Sequence, residues 1–125
     1  MAFMRKVCLI TTLLLATVSC GDDSTDPSPN PTDATITITA AGVNPQNVTI
    51  NSGGRITWVN NDTQVHQPSS DPHPLHTDCP GLNMNPISPG SSATSQPLTT
   101  RRTCGFHDHQ NDNANASMRG TVTVQ

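Results

Sequence analysis

Arg55-Ile56-Thr57-Trp58-Val59-Asn60-Asn61 is the stretch on which the fold turns. Ile56 and Trp58 fall on one side of a period-two pattern and the polar residues between them on the other, which is how a half-buried strand reads; Asn60-Asn61 then supplies a turn. His66 follows five residues later. The same alternation recurs outward in both directions, in Thr35-Ile36-Thr37-Ile38-Thr39, in Asn47-Val48-Thr49-Ile50 and in the closing Gly120-Thr121-Val122-Thr123-Val124. Ser52-Gly53-Gly54 and Ser88-Pro89-Gly90 are turn sequences. No stretch keeps a helical period over a useful length, although Asn113 to Met118 has room for a single turn. Short alternating strands separated by frequent turns predict an all-β domain, a sandwich or Greek-key barrel.

The domain occupies residues 34–125 of the chain. Residues 1–19 read as a secretory signal: Arg5-Lys6 is basic, Val7 to Val18 is apolar, and small Ser19 precedes Cys20. The apolar run is too short to span a bilayer permanently. Thr17-Val18-Ser19-Cys20 resembles the bacterial lipoprotein cleavage box, with Thr17 where Leu is usual, and this resemblance implies lipidation of Cys20 and a place in the bacterial cell envelope. Residues 20–33 then form the anchor cysteine and a flexible linker, since Gly21 to Asp33 has no apolar side chain except proline.

Residues 34–125 contain no Lys, Glu or Tyr, and Trp58 and Phe106 are their only aromatics, so the core is built from Ile, Val, Leu and Ala. A core this thin benefits from a covalent staple. Cys79 and Cys104 are the two thiols left in the domain, and in an oxidising compartment such a pair reads as a disulfide worth about 3–4 kcal/mol. The competing reading makes Cys104 a thiolate ligand to copper.

All five histidines lie in two short runs, His66 to His76 and His107 to His109. Imidazole is the commonest protein ligand for copper and zinc, and two His-bearing segments can converge on one ion. Surface loops rich in Pro, Asn and Asp also collect histidines by chance, which keeps a non-metal, disulfide-stapled β-domain for adhesion or assembly among the readings.

Ile56 to Asn61 with the following His66 resembles the strand and loop that deliver the first copper-binding histidine in plastocyanin-like cupredoxins. Pro89-Gly90, Leu98-Thr99-Thr100, the His107 region and Met118 to Val124 resemble the last two strands of that family and the ligand loop between them. The resemblance covers most of residues 34–125 and implies a cupredoxin-like Greek-key β-sandwich binding copper. The ligand loop admits two registers. In one, Cys104, His107 and Met118 join His66 in a type 1 blue-copper electron carrier, although ten residues separate His107 from Met118. In the other, which uses both cysteines, Cys104 and Phe106 point inward, Asp108 takes the thiolate's place, and Cys104 pairs with Cys79. The ligands are then His66, His107 and His109, with His73 and His76 as further donors. Met118 and Asp108 remain weak or alternative ligands, Asp108 also as an acceptor that orients a ligating His.

The expected partners are a metal ion and a redox or copper-handling protein of the envelope, with the lipid anchor as the sole membrane contact. Catalytic motifs are missing, since the domain has neither a nucleophile elbow nor His-Glu-x-x-His nor a phosphate loop, so no enzyme activity is expected. Nucleic acid is not an expected partner: four Arg stand against nine Asp after the signal is removed. The Asp and Asn residues from 108 to 115 lack the alternating carboxylates of a calcium loop.

Overall fold

The structure is a computed structural model that describes residues 30–110 and 115–125. The signal, Cys20 and the linker up to residue 29 lie outside the described residues. Among the described residues eight strands follow one another: β1 (Ala34–Thr39), β2 (Gly42–Asn44), β3 (Asn47–Ile50), β4 (Ile56–Asn60), β5 (Pro68–Ser70), β6 (Ser92–Thr94), β7 (Arg102–Asp108) and β8 (Arg119–Val124). They form two four-stranded sheets, ordered β2-β1-β4-β6 and β3-β8-β7-β5. Each sheet is mixed, with β1 parallel to β4 and β3 parallel to β8. This is the all-β sandwich that the alternation predicts.

Alternation decides which side chains meet between the sheets. Ile36 and Ile38 on β1, Ile56 and Trp58 on β4, Cys104 and Phe106 on β7, and Val122 and Val124 on β8 are all buried. Register aligns them, with Ile36 opposite Trp58 and Cys104 opposite Val122. Trp58 and Phe106 meet edge to face across the sandwich, ring centres 4.8 Å apart at 78°, a geometry worth about 0.5–1.5 kcal/mol beyond the area it buries. Cys104 is bonded to Cys79, so the disulfide joins β7 to the segment before the 3-10 turn Pro80–Leu82. A second 3-10 turn, Ala116–Met118, sits within the range where a single turn was expected; the Asn115 side chain accepts from the Ser117 amide at its start.

Residues 30–33, read from sequence as linker, are fastened to the domain. The Asn51 amide donates to the Pro31 carbonyl at 3.0 Å, and the Arg55 amide donates to Asp33 Oδ1 at 2.8 Å. Composition alone marked these residues as linker, because backbone and side-chain hydrogen bonds to distant turns leave no apolar signature.

Candidate metal centre

β7 sets up the site by its period of two. Cys104, Phe106 and Asp108 point between the sheets, which places Gly105 and His107 on the opposite side, with His109 just past the strand end. An outward histidine on a sandwich is normally wet, yet His107 is 1% exposed. The segment from Asp71 to Asp78 covers it. That segment continues the β5 edge for one residue, the Asp71 amide donating to the Gly105 carbonyl at 3.0 Å, then closes on itself through Asp78 N to Asp71 O at 2.9 Å and His76 N to Pro72 O at 2.7 Å. His76 sits at φ 52, a left-handed conformation uncommon for a side-chain-bearing residue and frequent at functional sites.

The cover brings His73 and His76 onto His107 and His109. One ligand atom from each of the four lies within 4.8 Å of the others. Five buried side-chain polar atoms among the described residues lack a hydrogen-bond partner, and four of them are His73 Nδ1, His76 Nε2, His107 Nε2 and His109 Nδ1. Burying an imidazole nitrogen without a partner costs of order 1–3 kcal/mol, so four together need a common acceptor of their lone pairs. A metal ion can serve all four at once. Burial, with repulsion from His109, His107 and His73, holds His76 below the usual imidazole range and favours its neutral, ligating form.

Ring spacing adds a coordination geometry. An imidazole centre lies about 3.2 Å from an ion bound at about 2.0–2.1 Å, so four rings on a tetrahedron are about 5.2 Å apart, against about 4.5 and about 6.4 Å on a square plane. The ring centres here are 5.5 Å for His73–His76, 5.4 Å for His73–His107, 5.2 Å for His73–His109, 5.2 Å for His76–His107 and 4.8 Å for His76–His109. These five of the six pairs fit a tetrahedron better than a square plane, and the donor set suits copper or zinc.

The remaining sequence candidates lie elsewhere. His66 does not join the group, although it was expected to share its ion. It is fully buried on the other side of β7, with Nδ1 2.7 Å from Asp108 Oδ2 and Nε2 3.0 Å from Asp62 Oδ2. Asp108 Oδ1 accepts from the amides of Gln67 and Gln110, and so Asp108 serves His66 and the turn rather than the four imidazoles. Hydrogen bonds from the Thr63 amide and from His66 hold the Asp62 carboxyl below the usual carboxylate range. Met118 is buried core against the inner face. The Cys104 thiolate reading is corrected by the disulfide: both sulfurs are bonded to each other, and Cys104 points away from the four grouped histidines.

Sequence reasoning missed Asp71, whose Oδ1 lies 2.7 Å from His107 Nδ1. The available signal was its place at the end of the β5 segment, two residues before His73.

No protein-family model matches the chain, and no curated protein does either. Solved structures do match. The purple cupredoxin from Nitrosopumilus maritimus aligns at 22% identity over 74% of this chain and 100% of that one, TM-score 0.56. Oxidized plastocyanin from Dryopteris crassirhizoma aligns at 18% over 73% and 99%, TM-score 0.59. Auracyanin from the photosynthetic bacterium Roseiflexus castenholzii aligns at 15% over 77% and 98%, TM-score 0.58. With its two mixed sheets and its likeness to these structures, the domain has the cupredoxin fold.

Proposed function

We propose that this is a copper-binding, cupredoxin-like lipoprotein of the bacterial cell envelope, anchored through Cys20, that holds copper or hands it on. The observation that carries the metal reading is the convergence of four buried, unpartnered imidazole nitrogens, from His73, His76, His107 and His109. Copper is favoured over other ions by the all-nitrogen donor set together with the fold shared with cupredoxins. The envelope assignment rests on Met1 to Cys20 of the sequence. Bound copper supplies one-electron redox chemistry; the four histidines supply neutral donors, and segment 71–78 limits access of water to them. Held by four protein donors, the ion would keep no position for a substrate, which suits storage and transfer better than turnover, and we assign no enzymatic activity. A partner that receives the ion would approach over this segment, where Leu75 is exposed.

Zinc is the second reading, because the tetrahedral ring spacing is the shell a structural zinc ion adopts. The experiment is titration of the mature protein with Cu(II), Cu(I) and Zn(II), followed by absorption and pulsed EPR. Stoichiometric Cu(II) binding with faint colour and imidazole nitrogen couplings is the expected result. An intense thiolate-to-copper band, or no uptake of any of the three ions, overturns the proposal.

A further inference from the structure

We infer that Asp71 is the positioning residue of the metal centre, selecting the nitrogen that His107 presents to the ion; the inference rests on the metal-binding reading above. Among the described residues Asp71 is the one carboxylate hydrogen-bonded to a histidine of the group, with Oδ1 2.7 Å from His107 Nδ1. A carboxylate only accepts, so Nδ1 carries the hydrogen of this bond and Nε2 is left with its lone pair. His107 Nε2 is the buried atom with no partner in the protein. Tautomer and ring direction thus follow from one contact.

Three further contacts fix the carboxylate itself. The Asp71 backbone pairs with Gly105, placing Asp71 diagonal to His107 on one face of the ladder. The Arg119 guanidinium stands 3.5 Å from Oδ1 on the neighbouring strand. Gly105 leaves the space that Oδ2 occupies: a Cβ there would lie 2.2 Å from it, too close for the carboxylate to stay. Asp71 also accepts the Asp78 amide at its carbonyl, closing the segment that carries His73 and His76. The same residue therefore orients one imidazole by its side chain and holds two others through its backbone. Side-chain substitution removes the first role and leaves the second.

The test compares wild type, Asp71→Asn, Asp71→Ala and Gly105→Ala. Nitrogen NMR of the metal-free proteins reads the His107 tautomer, and Zn(II) and Cu(II) titrations read affinity. In wild type, His107 is expected as the Nδ1–H tautomer. Asp71→Ala and Gly105→Ala lose that preference and weaken metal binding about 10–100-fold, while Asp71→Asn, whose amide oxygen still accepts, keeps the tautomer and recovers much of the affinity. Gly105→Ala leaves Asp71 in the chain, so a shared phenotype is not a consequence of deleting a folding contact at position 71. Wild-type protein that takes up no metal sinks the metal reading, and the metal-free tautomer still decides the Asp71–His107 relation. Wild-type affinity together with an unchanged tautomer in Asp71→Ala overturns the assignment to Asp71 alone.

Discussion

Cys79 and Cys104 join the two halves of the candidate metal centre: Cys79 lies three residues after His76, Cys104 three residues before His107, and the disulfide holds their segments together. The bond faces the core and the histidines face outward, so its sulfurs serve the site by restraint alone. Replacing both cysteines by alanine is expected to cost about 3–4 kcal/mol of metal-free stability in the chain-entropy model. It is also expected to weaken metal binding, because His73 and His76 must then be ordered when the ion binds. Denaturant titration and metal affinity of the double variant check both parts. Undiminished affinity would show that the hydrogen bonds of segment 71–78 suffice to hold it over β7.

His73 and His66 separate the four-imidazole centre from the buried histidine beside it. His73→Ala removes one donor from a half-exposed segment, so metal affinity should fall steeply while the metal-free fold keeps its stability. His66→Ala should do the reverse. It leaves all four donors and strips Asp62 and Asp108 of their shared imidazole, and leaving buried Asp108 without its partner costs about 3–5 kcal/mol. Paired thermal melts with and without Zn(II) distinguish the two. Loss of metal binding in a folded His66→Ala protein would return His66 to the ligand set.

How far the sequence reaches is visible in these same residues. Ile56–Asn60 was legible because it alternates over its whole length against a buried face, and the last strand because Thr121–Val124 does so. Gly42–Asn44, Pro68–Ser70 and Ser92–Thr94 span three residues each, too few to show a period, and are strands only through their neighbours. All four histidines of the group were candidates, yet the sequence could not exclude His66 from it. Whether segment 71–78 folds over β7 depends on Asp71 meeting Gly105, a contact between residues far apart in the chain. Alternation did hold one unused clue: Asp108 is on the opposite face from His107, so a carboxylate orienting His107 had to come from another segment.

Protons compete with the ion for four imidazoles, so affinity is expected to fall as pH drops through the imidazole range. In the metal-free protein the sign follows from His76, whose folded-state value burial and the neighbouring histidines hold below the usual imidazole range. The unfolded chain then binds the proton first, so His76 contributes stability above the unfolded value that is lost as pH falls through it toward the lower folded value. Melting temperatures of metal-free and metal-loaded protein from about pH 7.5 to about pH 5 read both effects. The gap between the two curves should narrow with acid, since metal stabilises by its occupancy. A gap that stays constant would mean that the ion is not held by titrating imidazoles.

The near-tetrahedral array makes a prediction about oxidation state. Cu(II) prefers tetragonal nitrogen shells, whereas closed-shell ions tolerate a tetrahedron. Five of the six ring separations lie between 4.8 and 5.5 Å, whereas a square plane needs two pairs at about 6.4 Å. His107 cannot swing freely to supply one, because Asp71 holds its Nδ1 and burial surrounds the ring. Cu(II) should therefore bind in a distorted shell with a reduced parallel hyperfine coupling, and the copper couple should lie above that of copper bound to a flexible histidine peptide. Spectroelectrochemistry on the copper-loaded protein measures the potential, and EPR the distortion. A tetragonal Cu(II) spectrum with a peptide-like potential would mean that segment 71–78 relaxes around the ion, and the preference for closed-shell metals would disappear with it.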